Sequence, residues 1–377
     1  MTAETHRQRA KDWILKADES RSEHKLKLSK QLSIILRIVL FLVSMIIFVF
    51  SLVLMKVGAG PLTPFIRNEF SVDSPASALG FGWLGANLAM SGSPVAATAL
   101  ALLDGGTLSV IEAYAMVAGS RLGAAFVVLI IGVIYMLRGK HRNLSLSVGL
   151  LSLLVTQTIY PFVLLLGGVI LSNGWFQRFR VDASHEMQSP IAIFFDPAIH
   201  FLERGLPTWV FLPAGFLLVL FSLWLFDRAI PELHLNSTQM GLVHHLLYRP
   251  AVTFVLGAVL TSLTMSVSVS LSLLVPLSVR GYIRRENVIP YILGANITTF
   301  VDTLIAAALL ANPAAVTVVL VQMVSVSIVS IVLLLTVFSI YERFLDKLVG
   351  FLGRRRRFLV AYIFVIFIVP FALLIYG

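Results

Sequence analysis

The chain contains no cysteine, and only 13% of its 377 residues are charged. The first absence removes disulfides, thiolate catalysis and thiolate metal ligation. The second leaves too little polar surface for a large soluble domain. A net charge of +10 remains, but no soluble basic domain with interleaved aromatics accompanies it, so nucleic acid is not the expected partner. No nucleophile, metal cluster or pair of acids converges, which argues against an enzyme. What the chain has instead is apolar: 58% hydrophobic residues and a mean hydropathy of +0.91. Runs near 32–57, 111–137, 144–171, 207–226, 286–310, 314–340 and 357–376 each supply the roughly 20 helical residues that cross a 30 Å hydrocarbon core. These runs predict an all-α polytopic membrane protein.

The chain also contains itself twice. Gly82 to Gly132 lies without a gap on Gly257 to Ala307, since 257 − 82 and 294 − 119 both equal 175. Gly82, Leu88, Met90, Ser91, Ser93, Leu102, Gly106 and Gly119 meet Gly257, Leu263, Met265, Ser266, Ser268, Leu277, Gly281 and Gly294. Each copy has a Ser-x-Ser inside an apolar stretch and then a small-residue break, 119–123 against 294–298. Paired interruptions in two halves of a membrane chain point to a transporter's binding site. The stretches 79–103 and 250–279 carry turn-forming residues at membrane depth, which is tolerated only where backbone is buried or lines a cavity. They read as re-entrant helical hairpins; plain spans with small packing residues are the alternative.

Each repeat is then span, hairpin, broken span, span. Three crossings place the second repeat inverted. With the N-terminus inside, the inner segments are 1–31, 138–143, 227–249, 280–285 and 341–357. The outer side holds only Lys56, Arg67, Arg178, Arg180 and Arg204, while Arg37 and Arg121 fall inside spans; every other Lys and Arg is inner. This is a positive-inside pattern, which puts the N-terminus in the cytoplasm; a bacterial or archaeal plasma membrane is the expected location. The domains follow as a basic segment 1–31, repeat 1 at 32–171, an outer connection 172–206, repeat 2 at 207–346, and a basic loop with a final span at 347–377. The first segment reads as a helix lying on the inner face or, equally, as an unstructured tail, and 172–206 as a short ordered cap. Anionic lipid headgroups are the expected contact of Arg354 to Arg357. A homodimer stays open.

The residues carry a resemblance. Gly294-Ala295-Asn296-Ile297-Thr298-Thr299, preceded by a serine-rich hairpin and followed by the Ala314-Ala315-Val316 span, resembles the second repeat of the sodium-dependent phosphate cotransporters (Na/Pi type II) and their prokaryotic relatives. The resemblance covers about 80–137 and 250–335. It implies two inverted repeats and secondary active transport of a small anion, inorganic phosphate first, with Na⁺ as coupling ion and no other cofactor. With it, Ser91, Ser93, Ser266, Ser268 and Asn296 are candidate substrate residues, and Arg121 joins them by its position in the first break. Ser266, Ser268, Asn296, Thr298, Thr299 and Asp302 are candidate ion ligands. Two departures stand out. The family's hairpin Gln is missing from both copies, and Arg121 stands where the second repeat has Asn296.

Arg121 lies about ten residues into its span, roughly 15 Å deep. An arginine there is costly and marks function by default. It can hold an anion by bidentate bonds or pair with Asp302, which takes the place of Val127 in the other copy. Ser270, whose counterpart is Val95, reads as a packing residue. Asp104, Glu112, Asp227 and Arg249 sit at span ends and read as solvated; His244 and His245 read as interfacial. A channel or lipid-handling protein on the same fold, and a transport-inactive scaffold, are the rival functions.

Overall fold

The computed structural model describes residues 3–70, 72–137, 142–174, 190–229 and 249–377, except Met265, Ser266, Ser268, Val269, Ser272, Leu273, Val275, Pro276 and 279–282. Of 3–34, 142–143, 190–193 and Asp227 only the backbone is described. Among the described residues there are helices and turns and no strand. Seven helical stretches are long and apolar enough to cross a membrane: Ile35–Asn68, Val110–Leu137, Leu144–Ser172, Thr208–Phe226, Arg285–Leu309, Pro313–Arg354 and Arg356–Tyr376. They fall, in order, on the seven apolar runs of the sequence.

Their boundaries differ from expectation in two places. Helix α1 (Ala3–Asn68) continues past 57, through Pro61 and Pro64. Proline removes a helical donor, here the ones that Val57 O and Gly60 O would otherwise receive, yet the helix runs on; the hydroxyls of Thr63 and Thr107 both donate to the neighbouring Ala59 O, at 3.2 Å each. The backbone of 3–34 is continuous with this helix, so the segment is not a separate surface helix. The other difference lies at 341–357, expected as a loop. There the chain leaves Pro313–Val332 through a π turn, Leu333–Val337, into the amphipathic helix Phe338–Arg354, on which Leu345, Val349 and Leu352 are buried.

The regions read as hairpins hold short helices. Helices α2 (Pro75–Ala89) and α3 (Ser93–Asp104) have 15 and 12 residues. At 1.5 Å per residue neither reaches across a bilayer core. Met90 turns the chain between them in a left-handed conformation, φ 50°. Helix α4 (Val110–Ala124) then packs along α2. Gly119 meets Leu79 and Trp83, and Gly123 meets Trp83 and Asn87, so a step of four along one helix is a step of four along the other and the two helices run parallel; Gly82 meets the backbone of Met116 in the same interface. A chain that returns parallel to α2 has reversed between them, through α3.

These contacts depend on glycine because backbone meets backbone. A Cβ on Gly82 would land on the carbonyl oxygen of Met116, and one on Gly119 on that of Leu79. The second half repeats this at the same offset. After α5 (Phe126–Leu137), α6 (Arg142–Ser172), α7 (Pro190–Glu203) and α8 (Phe211–Ala229) come α9 (Pro250–Thr264) and α10 (Val288–Thr298). A Cβ on Gly257 would meet Tyr291 O, and one on Gly294 would meet Phe254 O. Each partner stands 175 positions after its counterpart. The element starts follow too: Pro75 and Pro250 open α2 and α9, and Phe126 and Val301 open α5 and α11 (Val301–Leu309).

Helices α1 and α8 pack in the opposite sense. Phe41 stacks near Phe226, with ring centroids 5.3 Å apart, Ser51 and Met55 crowd Gly215, and Gly58 meets Leu212. One number rises as the other falls, so these helices are antiparallel. Helix α7, in the region expected as a cap, puts Phe195 against Phe50 of α1 and buries Ile199. The stretch from 313 to 354 supplies α12 (Pro313–Val332) and α13 (Phe338–Arg354). The last helix, α14 (Arg356–Tyr376), lies on α2, where Gly80 meets the backbone of Pro370 and Asn87 donates to Ile366 O at 3.3 Å.

Gly82→Ala and Gly257→Ala are each expected to destabilise the detergent-solubilised protein by about 1–3 kcal/mol, the cost of overpacking. Gly60→Ala and Gly168→Ala, where a Cβ meets nothing within 4 Å, should be neutral or stabilising by up to about 1 kcal/mol. Thermal unfolding of the four variants checks this.

Candidate functional site

The site is built where two interrupted helices meet. The last turn of α4 carries Arg121. Past the break at Thr299 and Phe300, the first turn of α11 carries Asp302. Gly92, between Ser91 and Ser93, packs on the α4 break: a Cβ there would come 2.8 Å from Ser120 O and 3.3 Å from an Arg121 nitrogen. The half-buried Ser91 and Ser93 thus lie at the turn between α2 and α3, beside Arg121.

Arg121 is only 4% exposed and Asp302 only 6%. The guanidinium donates through Nη1 to Thr299 Oγ1 at 3.1 Å and through Nη2 to Thr303 Oγ1 at 2.5 Å. Asp302 Oδ1 stands 3.8 Å from Nη2. Thr303 bridges the gap, because its hydroxyl and backbone N–H both donate to Asp302 Oδ1, at 2.9 and 2.5 Å. The Phe300 ring covers the cation at 4.6 Å, an arrangement worth about 2 kcal/mol when desolvated. So Arg121 has an ion-pair partner, and the pair is made mainly through a threonine relay. Among the described residues, Arg121 Nε and Asp302 Oδ2 have no hydrogen-bond partner.

Asn296 is buried on α10 and donates to Thr156 Oγ1 of α6 at 3.3 Å. One turn further along α6 is Tyr160; residues four apart in a helix are neighbours on one face. Tyr160 is fully buried, within electrostatic range of Arg121, and its hydroxyl faces Gln322 of α12. The Tyr160 hydroxyl and the Gln322 amide interact with each other without reaching full hydrogen-bond geometry. A buried polar stripe therefore runs from Asn296 through Thr156 and Tyr160 to Gln322, with Arg121 beside it.

Of the residues singled out from sequence, the structure brings together Arg121, Thr299 and Asp302, with Ser91 and Ser93 alongside. Thr299 and Asp302, read as cation ligands, are engaged by the guanidinium or its relay. Thr298 turns away and donates to Ala258 O of α9 at 2.7 Å. Ser266 and Ser268 lie outside the described residues. Ser270 packs as expected, buried between Thr261 Oγ1 at 2.6 Å and the Tyr291 hydroxyl at 2.9 Å. Among the described residues no group of three or more His, Cys, Asp or Glu could hold a metal ion. Thr303, Thr156, Tyr160 and Gln322 were not singled out. Gln322 did carry a signal, as the one amide or charged side chain between Pro313 and Val337.

Two charges expected to be solvated are paired instead. Glu112 is buried; it accepts from the Ser109 N–H at 2.7 Å in a capping box and meets Arg67 Nη2 at 3.3 Å. Asp104 meets Lys56 Nζ at 2.8 Å and accepts from Asn312 at 2.7 Å. The added length of α1 explains the pairing of Glu112, since it carries Arg67 alongside the start of α4, while Lys56, just before 57, lies beside the end of α3.

The architecture is that of a helical membrane protein, with seven membrane-length helices among the described residues and a buried arginine between them. No family model, no curated protein and no solved structure matches the chain.

Replacing Arg121 by Gln leaves Asp302 buried without its counter-charge, and removing one partner of such a pair costs about 3–5 kcal/mol. Adding Asp302→Asn should recover a large part of that loss. Unfolding curves of the single and double variants test it; a double variant no more stable than Arg121→Gln would show that the two charges are uncoupled.

Proposed function

We propose that the chain is a secondary active transporter of a small anion, with inorganic phosphate the first candidate, built on two inverted repeats. The observation that carries this reading is Arg121. It is a permanent cation buried among spans, at the junction of two helix breaks, and beside polar groups that the protein itself leaves unpaired. An anion meeting it in a low-dielectric site gains far more than it would in water. The resemblance to sodium-dependent phosphate cotransporters, drawn from the residues around Asn296, gives phosphate its priority.

Three features of the fold support the architecture. The antiparallel α1 and α8 are the opening helices of the two copies, as an inverted repeat requires. The parallel α2 and α4, with short α3 between them, suit a hairpin that enters and leaves on one side. The glycine contacts recur at one offset. In this reading Ser91, Ser93 and Arg121 serve the substrate, together with Ser266 and Ser268. Asn296 retains the side on which Na⁺ coupling is expected, because a Na⁺ near Thr299 would face the guanidinium. The Arg354 to Arg357 run, all exposed, suits anionic lipid headgroups. The reading places the N-terminus in the cytoplasm of a bacterial or archaeal cell.

One observation favours a second reading, lipid handling. An apolar cavity of about 520 Å³ opens between α1, α2, α3, α4 and α8, lined by Phe65, Phe70, Phe81, Trp209 and Phe216 among others.

Proteoliposomes separate the two. Transport predicts phosphate uptake driven by an ion gradient and reduced about tenfold or more by Arg121→Lys, which loses the bidentate geometry, and by Asn296→Ala. Lipid movement with no anion uptake under any gradient would replace the transport reading. For topology, Ala311→Cys in this cysteine-free background should react with an impermeant reagent from outside the cell; reaction from the inside alone would refute the inverted arrangement.

A further inference from the structure

The buried pair of Arg121 and Asp302 is neutral as it stands, and the two oxygens of Asp302 are held unequally. Oδ1 accepts from both donors of Thr303 and lies 3.8 Å from the guanidinium. Oδ2 is buried and, among the described residues, has no hydrogen-bond partner. Asp302 also lines a cavity of about 30 Å³ between α1, α8 and α11, enough room for a water. Ser44 of α1 and Ser222 of α8 line it too. Their hydroxyls donate to Phe41 O at 2.7 Å and to Val219 O at 2.8 Å, which leaves each oxygen free to accept. The other five lining side chains, Phe48 and Phe226 among them, are apolar.

We infer that Asp302 carries a coupling proton, taken up at Oδ2 from this cavity when an anion engages Arg121. The inference rests on the transport reading above and names the ion that travels with the substrate. Charge balance requires such an ion. An anion at Arg121 turns a neutral buried pair into a cluster with net negative charge, and net charge in a dry interior is costly. One proton on Oδ2 offsets one negative charge. It breaks no hydrogen bond, since Oδ2 makes none, and the new O–H can donate to a cavity water or a serine oxygen. A metal cation fits less well, because hard cations take several oxygen ligands and the lining offers one carboxylate and two hydroxyls. The proton enters from the side that supplies the anion and leaves with it on the other, one per turnover. Arg121 is the charged side chain that pairs with Asp302. On the helices around the cavity, Lys56 of α1 pairs with Asp104 of α3, Arg67 of α1 pairs with Glu112 of α4, and Arg228 of α8 stacks on Trp224. Arg37 does not line the cavity, and α12 carries no charge. Asp227 follows the cavity-lining Phe226 in sequence and serves as a control.

The experiment uses the full-length protein in proteoliposomes, with inorganic phosphate as the probe, equal Na⁺ on both sides and no membrane potential, so that only the pH gradient varies. Acid outside should drive inward accumulation by up to about tenfold per pH unit for one coupled proton. Asp302→Asn should bind phosphate at least as tightly, because Arg121 then lacks its internal counter-charge, and should lose the response to the gradient; Asp227→Asn should keep it. A response that persists in Asp302→Asn would overturn the inference, since the proton would then ride on phosphate itself. Phosphate uptake that ignores the pH gradient in the unaltered protein would overturn it too, and leave the transport reading standing. Infrared difference spectra of the unaltered protein cover the case in which Asp302→Asn does not fold. Adding phosphate should produce the C=O stretch of a newly protonated carboxylic acid, and its absence would overturn the inference. Absence of phosphate uptake under every gradient would remove the transport reading, and the inference with it.

Discussion

A guanidinium shut away from water has to be held by the protein on every side, and that need organises the centre of this molecule. Arg121 cannot lose its charge. Its position at the last turn of α4 sends its donors across to the other copy of the repeat, where Thr299 and Thr303 receive them and Asp302 balances them. None of these partners lies in the same half as Arg121. The two halves are therefore tied by hydrogen bonds as well as by packing, and the tie is made where both broken helices pause. A neutral residue at 121 would leave Asp302 as the uncompensated charge. The two residues make sense only together.

Around this centre, glycine sets how closely the helices approach. The parallel pairs α2 with α4 and α9 with α10 touch backbone to backbone. Small interfaces of this kind are how helices associate in a bilayer, where apolar side chains gain nothing from leaving lipid. The same close approach brings Gly92 onto the α4 break and so sets the first Ser-x-Ser beside the buried charge. Packing and site are thus linked through the same small residues that made the repeat visible.

Much of this was legible in the amino-acid order. The apolar runs marked the seven membrane-length helices because a bilayer imposes a length. The 175-residue offset marked the glycine contacts because a missing Cβ has no substitute where two backbones meet. Asp302 was named as the partner of Arg121 because two isolated charges inside spans have few other options. What escaped has physical reasons as well. Two prolines near the end of α1 look like a stop, but the helix runs on through both. That extension carries Arg67 to Glu112, while Lys56, at the end of the expected span, reaches Asp104; neither pairing is displayed by a local pattern. Tyr160 and Gln322 belong to spans that read as ordinary, and only the packing of α6 against α12 makes neighbours of them. Thr298 and Thr299 are adjacent in sequence, yet the turn of the helix sends one to α9 and the other to Arg121.

The glycine contacts also bear on mechanics. Two helices whose backbones touch along several turns cannot slide past each other without collision, so each such pair moves as one rigid body. Relative displacement is then left to the joints where backbone regularity already lapses: the gap after Ala124, the gap at Thr299 and Phe300, the turn at Met90 and the π turn at Leu333–Val337. Most of these joints border the buried charge. A molecule assembled in this way concentrates its flexibility at its most polar point and keeps its stiffness in its least polar parts.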